Sequence, residues 1–124
     1  MERVFVLAVA GALGAAARFG LTGLVQDITA ANFPWGTLVV NILGCFLVGL
    51  CWTLAEKKLV LDAVWRSALF IGFFGSFTTF STYVLETSEL LRAGQRWAAA
   101  GNFALNNLLG FLALVGGAAI AQLL

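Results

Sequence analysis

Gly72-Phe73-Phe74-Gly75-Ser76-Phe77-Thr78-Thr79-Phe80-Ser81-Thr82-Tyr83 stands in the middle of an apolar run bounded by Arg66 and Glu86. The run is long enough to cross a bilayer, yet its centre is a poor helix. Glycines lower helix propensity, and the hydroxyls of Ser76, Thr78, Thr79, Ser81 and Thr82 compete for backbone hydrogen bonds. A spanning helix that breaks near its middle is therefore expected over residues 65–86. Broken backbone at membrane depth persists only inside protein or along a cavity, where freed carbonyls suit a cation and freed N–H groups suit an anion.

Working outward, a bilayer core of about 30 Å needs about 20 mostly apolar residues per helix. Three further runs meet this length: residues 4–25, interrupted only by Arg18, residues 33–55 and residues 97–123, both without charge. The fold expected is an all-α membrane protein with four spans in one domain over residues 1–124. The connections fall near residues 26–32, 56–64 and 87–96 and leave no room for an extramembrane domain. The first run extends past a signal-peptide core with no small-residue cleavage site, so it is expected to be a retained span. Pro34, beside Trp35, suits a helix start because its missing N–H costs little there.

Composition agrees. The chain has 124 residues, of which 61% are hydrophobic and 10% charged, against about 25% charged for a soluble domain. A net charge of +1 offers no basic stripe for phosphate neutralisation, so nucleic acid is excluded as a partner and lipid is the expected surrounding. There is no His, and Cys45 and Cys51 lie six residues apart, about 9 Å along a helix. They cannot pair within that helix, and no His, Cys or carboxylate cluster exists for zinc or iron.

Lys and Arg in short loops set orientation. Here the two faces nearly tie: Arg3, Lys57, Lys58 and Arg66 against Arg92, Arg96 and, if counted, Arg18. A short chain without charge bias is able to insert both ways and pair antiparallel with itself, so a dual-topology homodimer is expected.

Intramembrane polar groups are expensive and point to function. Gly11, Gly14 and Arg18 share a face of the first span; Arg18 either snorkels to the headgroups or faces an anion-attracting vestibule. Thr37, Asn41 and Gly44 share a face of the second, where Asn41 either bonds a neighbouring helix or offers a neutral donor to an anion. Phe80 and Tyr83 share a face of the third, and aromatic ring edges carry positive potential. The fourth carries Asn102, Asn106 and Asn107, some of which must face helices or water. None of the six acids, Glu2, Asp27, Glu56, Asp62, Glu86 and Glu89, stands at the centre of a span, as a proton-coupled exporter or cation pore would require. A lining of hydroxyls, amides and ring edges suits an anion and needs no covalent chemistry, so no enzyme is expected.

Gly11-Ala-Leu-Gly14-Ala-Ala-Ala-Arg18-Phe19, Gly36-Thr37-Leu-Val-Val-Asn41-Ile-Leu-Gly44-Cys-Phe46 and the Gly72–Tyr83 segment together resemble the signature segments of the Fluc (CrcB-type) fluoride channel family. The resemblance covers nearly the whole chain and is vaguest in the fourth span. It implies an antiparallel homodimer in a prokaryotic inner membrane, with two pores that release fluoride passively and so limit its toxicity. It implies that Phe80 and Tyr83 form an aromatic box, that Asn41 is a pore donor, and that Ser81 and Thr82, with Thr37, belong to the fluoride path. Arg18 becomes a vestibule or structural cation. Carbonyls of Gly75 and Thr78 from both subunits would hold a structural, untransported Na⁺. The family usually has Phe where Tyr83 stands, and hydroxyl residues where Asn106 and Asn107 stand. Two rival readings fit the residues less well. A small multidrug exporter needs an acid inside the first span, which is missing; a purely structural subunit explains the glycines but not Asn41, Phe80 and Ser81 together.

Overall fold

The computed structural model describes residues 1–58 and 60–124. Leu59, in the connection expected at residues 56–64, lies outside them. Among the described residues the chain is helical throughout, with no strand. Helix α1 is Glu2–Thr29 and α2 is Trp35–Lys57. The third span comprises α3 (Ala63–Ser67), a π-helical stretch (Ala68–Phe74), α4 (Gly75–Phe77) and α5 (Phe80–Arg92). Helix α6 is Arg96–Leu123. Four units, Glu2–Thr29, Trp35–Lys57, Ala63–Arg92 and Arg96–Leu123, are long and apolar enough to cross a membrane.

Most of these bounds exceed the expected ones by a few residues, because polar end residues continue the helices beyond the apolar runs; α2 instead starts at Trp35, two residues later than expected, after Pro34. The largest difference is in the third span, which reaches Arg92, so Glu86 sits inside a helix rather than at its end. The π-helical turns were not expected. Nothing in Ala68–Phe74 marks them, and they arise where the segment lies against α1.

Each connection is short and locally specified. The Gln26 side chain clasps the first: its Nε2 donates to the carbonyls of Ala31 (2.7 Å) and Phe33 (3.1 Å), and its Oε1 accepts from the Gly36 N–H (3.3 Å). Asp62 caps α3 by accepting from the N–H groups of Val64 (2.9 Å) and Trp65 (3.0 Å). Gly94, at φ 77°, turns the chain between α5 and α6. The Gly94 N–H donates to the Leu91 carbonyl and the Gln95 N–H to that of Leu90, the paired bonds of a Schellman ending.

Helix α2 lies at the centre, packed along α6 and touching α1 and both halves of the third span. Helix α1 packs on the first half of that span and α6 on the second. A side chain at Gly14 would collide with the Phe73 carbonyl, so the glycine face of α1 is what lets the π-helical stretch approach. Large apolar residues such as Phe5, Leu13, Phe19, Trp97 and Phe111 face outward, while Thr37, Asn41, Thr79, Asn102 and Asn106 are buried. This polarity is reversed from that of a water-soluble fold. The chain is a multi-pass membrane protein whose interior seam is polar.

Candidate functional site

The break in the third span falls at Thr78 and Thr79, both extended (ψ 158° and 115°). A helix end leaves carbonyls unpaired and a helix start leaves N–H groups unpaired, so this point needs partners from elsewhere. Asn41 on α2 supplies them. Its Oδ1 accepts from the Thr79 N–H (2.8 Å) and its Nδ2 donates to the Thr79 carbonyl (3.1 Å). A backbone N–H only donates, so the orientation of the Asn41 amide is forced.

The remaining bonds then follow in one direction. The Asn41 Nδ2 also donates to the Asn106 Oδ1 (2.9 Å), and the Asn106 Nδ2 to the Asn102 Oδ1 (3.0 Å). The Asn102 Nδ2 donates to the Thr87 Oγ1 (2.9 Å), whose own proton goes to the Tyr83 carbonyl (2.7 Å). A relay of three carboxamides thus leaves the backbone at the break, passes through α2 and α6, and returns to the backbone of α5. Thr79 in turn caps α5, its Oγ1 accepting from the Thr82 N–H (3.2 Å).

Two cavities meet at Thr79. The smaller, about 180 Å³, is lined by Asn41, Cys45, Thr79, Phe80, Tyr83 and Asn106, among others. The larger, about 880 Å³, is lined by Arg18, Thr37, Thr79, Thr82 and Glu86 with residues of the second half of α1. Thr37, 1% exposed, donates its hydroxyl to the Glu86 Oε1 (2.6 Å), and the other carboxylate oxygen is buried without a partner among the described residues.

Of the residues singled out in the sequence, Asn41, Thr78, Phe80, Tyr83, Asn106 and Asn107 line the smaller cavity, and Arg18, Thr37 and Thr82 the larger one. Both N–H groups of Asn41 are engaged within the chain. Phe80 is 74% exposed and Tyr83 5%, and their rings stand 5.2 Å apart at 84°, the edge of one against the face of the other. Ser81 is exposed on the outer surface of α5, apart from both cavities. Gly75 is exposed and Thr78 half-buried at the break, where the last carbonyls of α4 lack intrahelical donors. Among the described residues no group of three or more His, Cys, Asp or Glu is placed to hold a metal ion. Backbone oxygens are thus the donors available to a hard cation there.

Sequence reasoning missed the placement of Glu86 and Thr87. Thr82 and Glu86 share a face at a spacing of four, which could have marked the acid as facing the same space. No signal pairs Thr87 with α6.

The arrangement has full-length parallels. The family model described as "CrcB-like protein, Camphor Resistance (CrcB)" matches residues 5–118. The chain is 44% identical over 124 residues to the "Fluoride-specific ion channel FluC" of Solidesulfovibrio magneticus, covering 100% of this chain and 99% of the relative. It is 46% identical over 125 residues to the protein of that name from Desulforapulum autotrophicum, covering 100% of both. It is 45% identical over 123 residues to that of Nitrosococcus oceani, covering 99% of this chain and 98% of the relative. With four spans, a broken third helix and this likeness from end to end, the chain belongs to the CrcB family.

Proposed function

We propose that this protein is a fluoride-selective channel of a prokaryotic inner membrane, passing fluoride passively outward and so lowering its toxicity. The observation that carries the reading is the full-length likeness to relatives named fluoride-specific ion channels. The two cavities, both lined by Thr79, support it: the smaller carries amides, hydroxyls and aromatic rings and no charged group, and the larger carries four threonines and Arg18 together with the acids Asp27 and Glu86.

Fluoride is small and strongly hydrated, so its path must replace water with several moderate donors and still release the ion. In this reading Arg18 draws the anion into the larger cavity, and Thr82 and Thr79 lead it toward the smaller one. Phe80 and Tyr83 line the narrow part. Asn41 acts there by fixing the break that presents Thr79. Glu86, held by Thr37, and Asp27 line the same cavity as Arg18, so the entrance is not purely cationic and need not retain the ion.

The functional unit is an antiparallel, dual-topology homodimer with two such paths. The near tie of Lys and Arg between the two faces supports it, as does the exposure of Gly75, Phe80 and Ser81 on one chain alone. A structural Na⁺ fits the break: the carbonyls of Gly75 and Thr78 would hold it between two copies, with no carboxylate needed. Its charge, when bound, would balance the carbonyl dipoles that meet there.

The test is efflux from liposomes loaded with fluoride, followed with a fluoride electrode and repeated with chloride. Fast fluoride efflux without chloride efflux is expected. No efflux of either ion from protein shown to be dimeric in Na⁺ buffer would overturn the reading.

A further inference from the structure

Tyr83 carries a hydroxyl whose direction the structure determines. Asn107 on α6 donates its Nδ2 to the Phe103 carbonyl (2.7 Å) and to the Tyr83 hydroxyl oxygen (3.3 Å). A carbonyl only accepts, so the end of the Asn107 amide that meets Phe103 is the NH₂ group. Toward Asn107 the phenol oxygen is therefore an acceptor. Its own proton is left for another partner, and among the described residues no protein acceptor takes it.

The surroundings give this proton weight. Tyr83 is buried against the smaller cavity, beside Asn41, Thr79, Phe80 and Asn106. The Asn41 donors are spent on Thr79 and Asn106, and those of Asn106 on the Asn102 carbonyl and side chain. The Thr78 hydroxyl donates to the Phe74 carbonyl (3.1 Å). Helix α6 contains no Ser, Thr or Tyr. The strong side-chain donors still free in this cavity are the hydroxyls of Tyr83 and Thr79; the Cys45 thiol is a weak one.

We infer that the Tyr83 hydroxyl, oriented by Asn107, is an anion-binding donor of the smaller cavity and sets the affinity of this chain for a small, hard anion. The inference rests on the channel reading above and deepens it. A ring edge offers only weak attraction, whereas an O–H directed at a full negative charge makes a short, strong, charge-assisted bond. Thr79 provides the second hydroxyl at the junction of the cavities, so an anion leaving the larger one meets both. Asn107 also lines this cavity, but its amide protons are spent on Phe103 and the phenol, which makes it a positioning residue in this reading.

Liposome efflux measured against fluoride concentration tests this. Tyr83→Phe keeps the ring and its contact with Phe80 and removes one oxygen. The fluoride concentration for half-maximal flux should rise about tenfold, with maximal flux within about twofold of the parent. Asn107→Leu should raise it by a smaller factor in the parent and leave it unchanged in the Tyr83→Phe background, because its effect passes through the hydroxyl. A half-maximal concentration less than about twofold above the parent in Tyr83→Phe would overturn the inference while leaving the channel reading intact. An equal Asn107→Leu shift in both backgrounds would overturn the orienting role. If the parent itself passes no fluoride, the channel reading fails, and this assignment with it.

Discussion

Replacing Asn41 by Leu keeps the branched outline of the side chain, in a slightly larger form, and removes three hydrogen bonds at once. Two of the groups left behind, the Thr79 N–H and the Asn106 Oδ1, lose the partners described above. The Thr79 carbonyl keeps the first intrahelical bond of α5, as an N-cap carbonyl does. Each stranded buried group costs about 1–3 kcal/mol in soluble proteins, which gives about 2–6 kcal/mol for the two. Side-chain hydrogen bonds in membranes average about 0.6 kcal/mol, or about 2 kcal/mol for three. The estimates meet at about 2–2.7 kcal/mol, a factor of about 30–100 in the opening of the break. Amide hydrogen exchange in bicelles reads that opening directly. Thr79 should exchange about 30–100 times faster in Asn41→Leu, while amides in the middle of α2, such as Val48, change by less than about threefold. Asn41→Asp keeps an acceptor for the Thr79 N–H, so protection at Thr79 should fall far less, although a carboxylate beside the path should cut fluoride flux. Parental exchange at Thr79 in folded Asn41→Leu would refute the argument that this amide holds the break.

Phe80 lines the smaller cavity, so Phe80→Ala should lower fluoride flux by about tenfold while leaving the dimer assembled, as liposome efflux and size exclusion would read. Gly14→Val places two methyls against the Phe73 carbonyl and should destabilise the fold by about 1–3 kcal/mol, measured by denaturant titration in detergent. Exchanging Na⁺ for a large organic cation should reduce flux or weaken the dimer, seen by efflux and by size exclusion. Indifference to the cation would count against a structural Na⁺ at Gly75 and Thr78.

The four spans were legible because apolar length is a direct consequence of bilayer thickness, and the break was legible because glycines and hydroxyl residues weaken a helix wherever they cluster. The spacing of Asn102 and Asn106 likewise announced a polar face turned inward. Hidden were the facts that depend on pairing between helices. In sequence, Asn41 offers two N–H groups to an anion; in the fold both are committed, and only the backbone of Thr79 determines this. Glu86 looked like a terminal residue because the apolar run stops there, whereas the amphipathic end of α5 carries the helix on to Arg92 and places the acid beside Thr37. The π-helical turns over Ala68–Phe74 have no local cause. They depend on the close approach that Gly14 permits from another helix.

The seam that runs from Thr79 through Asn41, Asn106 and Asn102 to Thr87 has a consequence for bioenergetics. A proton wire needs links that accept a proton on one side and release another, as water, carboxyl and imidazole groups do. A carboxamide keeps its acceptor and its donor on separate atoms, and passing a proton through it would require a high-energy tautomer. Three such links in series, all facing one way, would have to turn together before the order could reverse. The polar seam between Thr79 and Thr87 is thus built from groups that fix one another's orientation, and not from groups that hand a proton along.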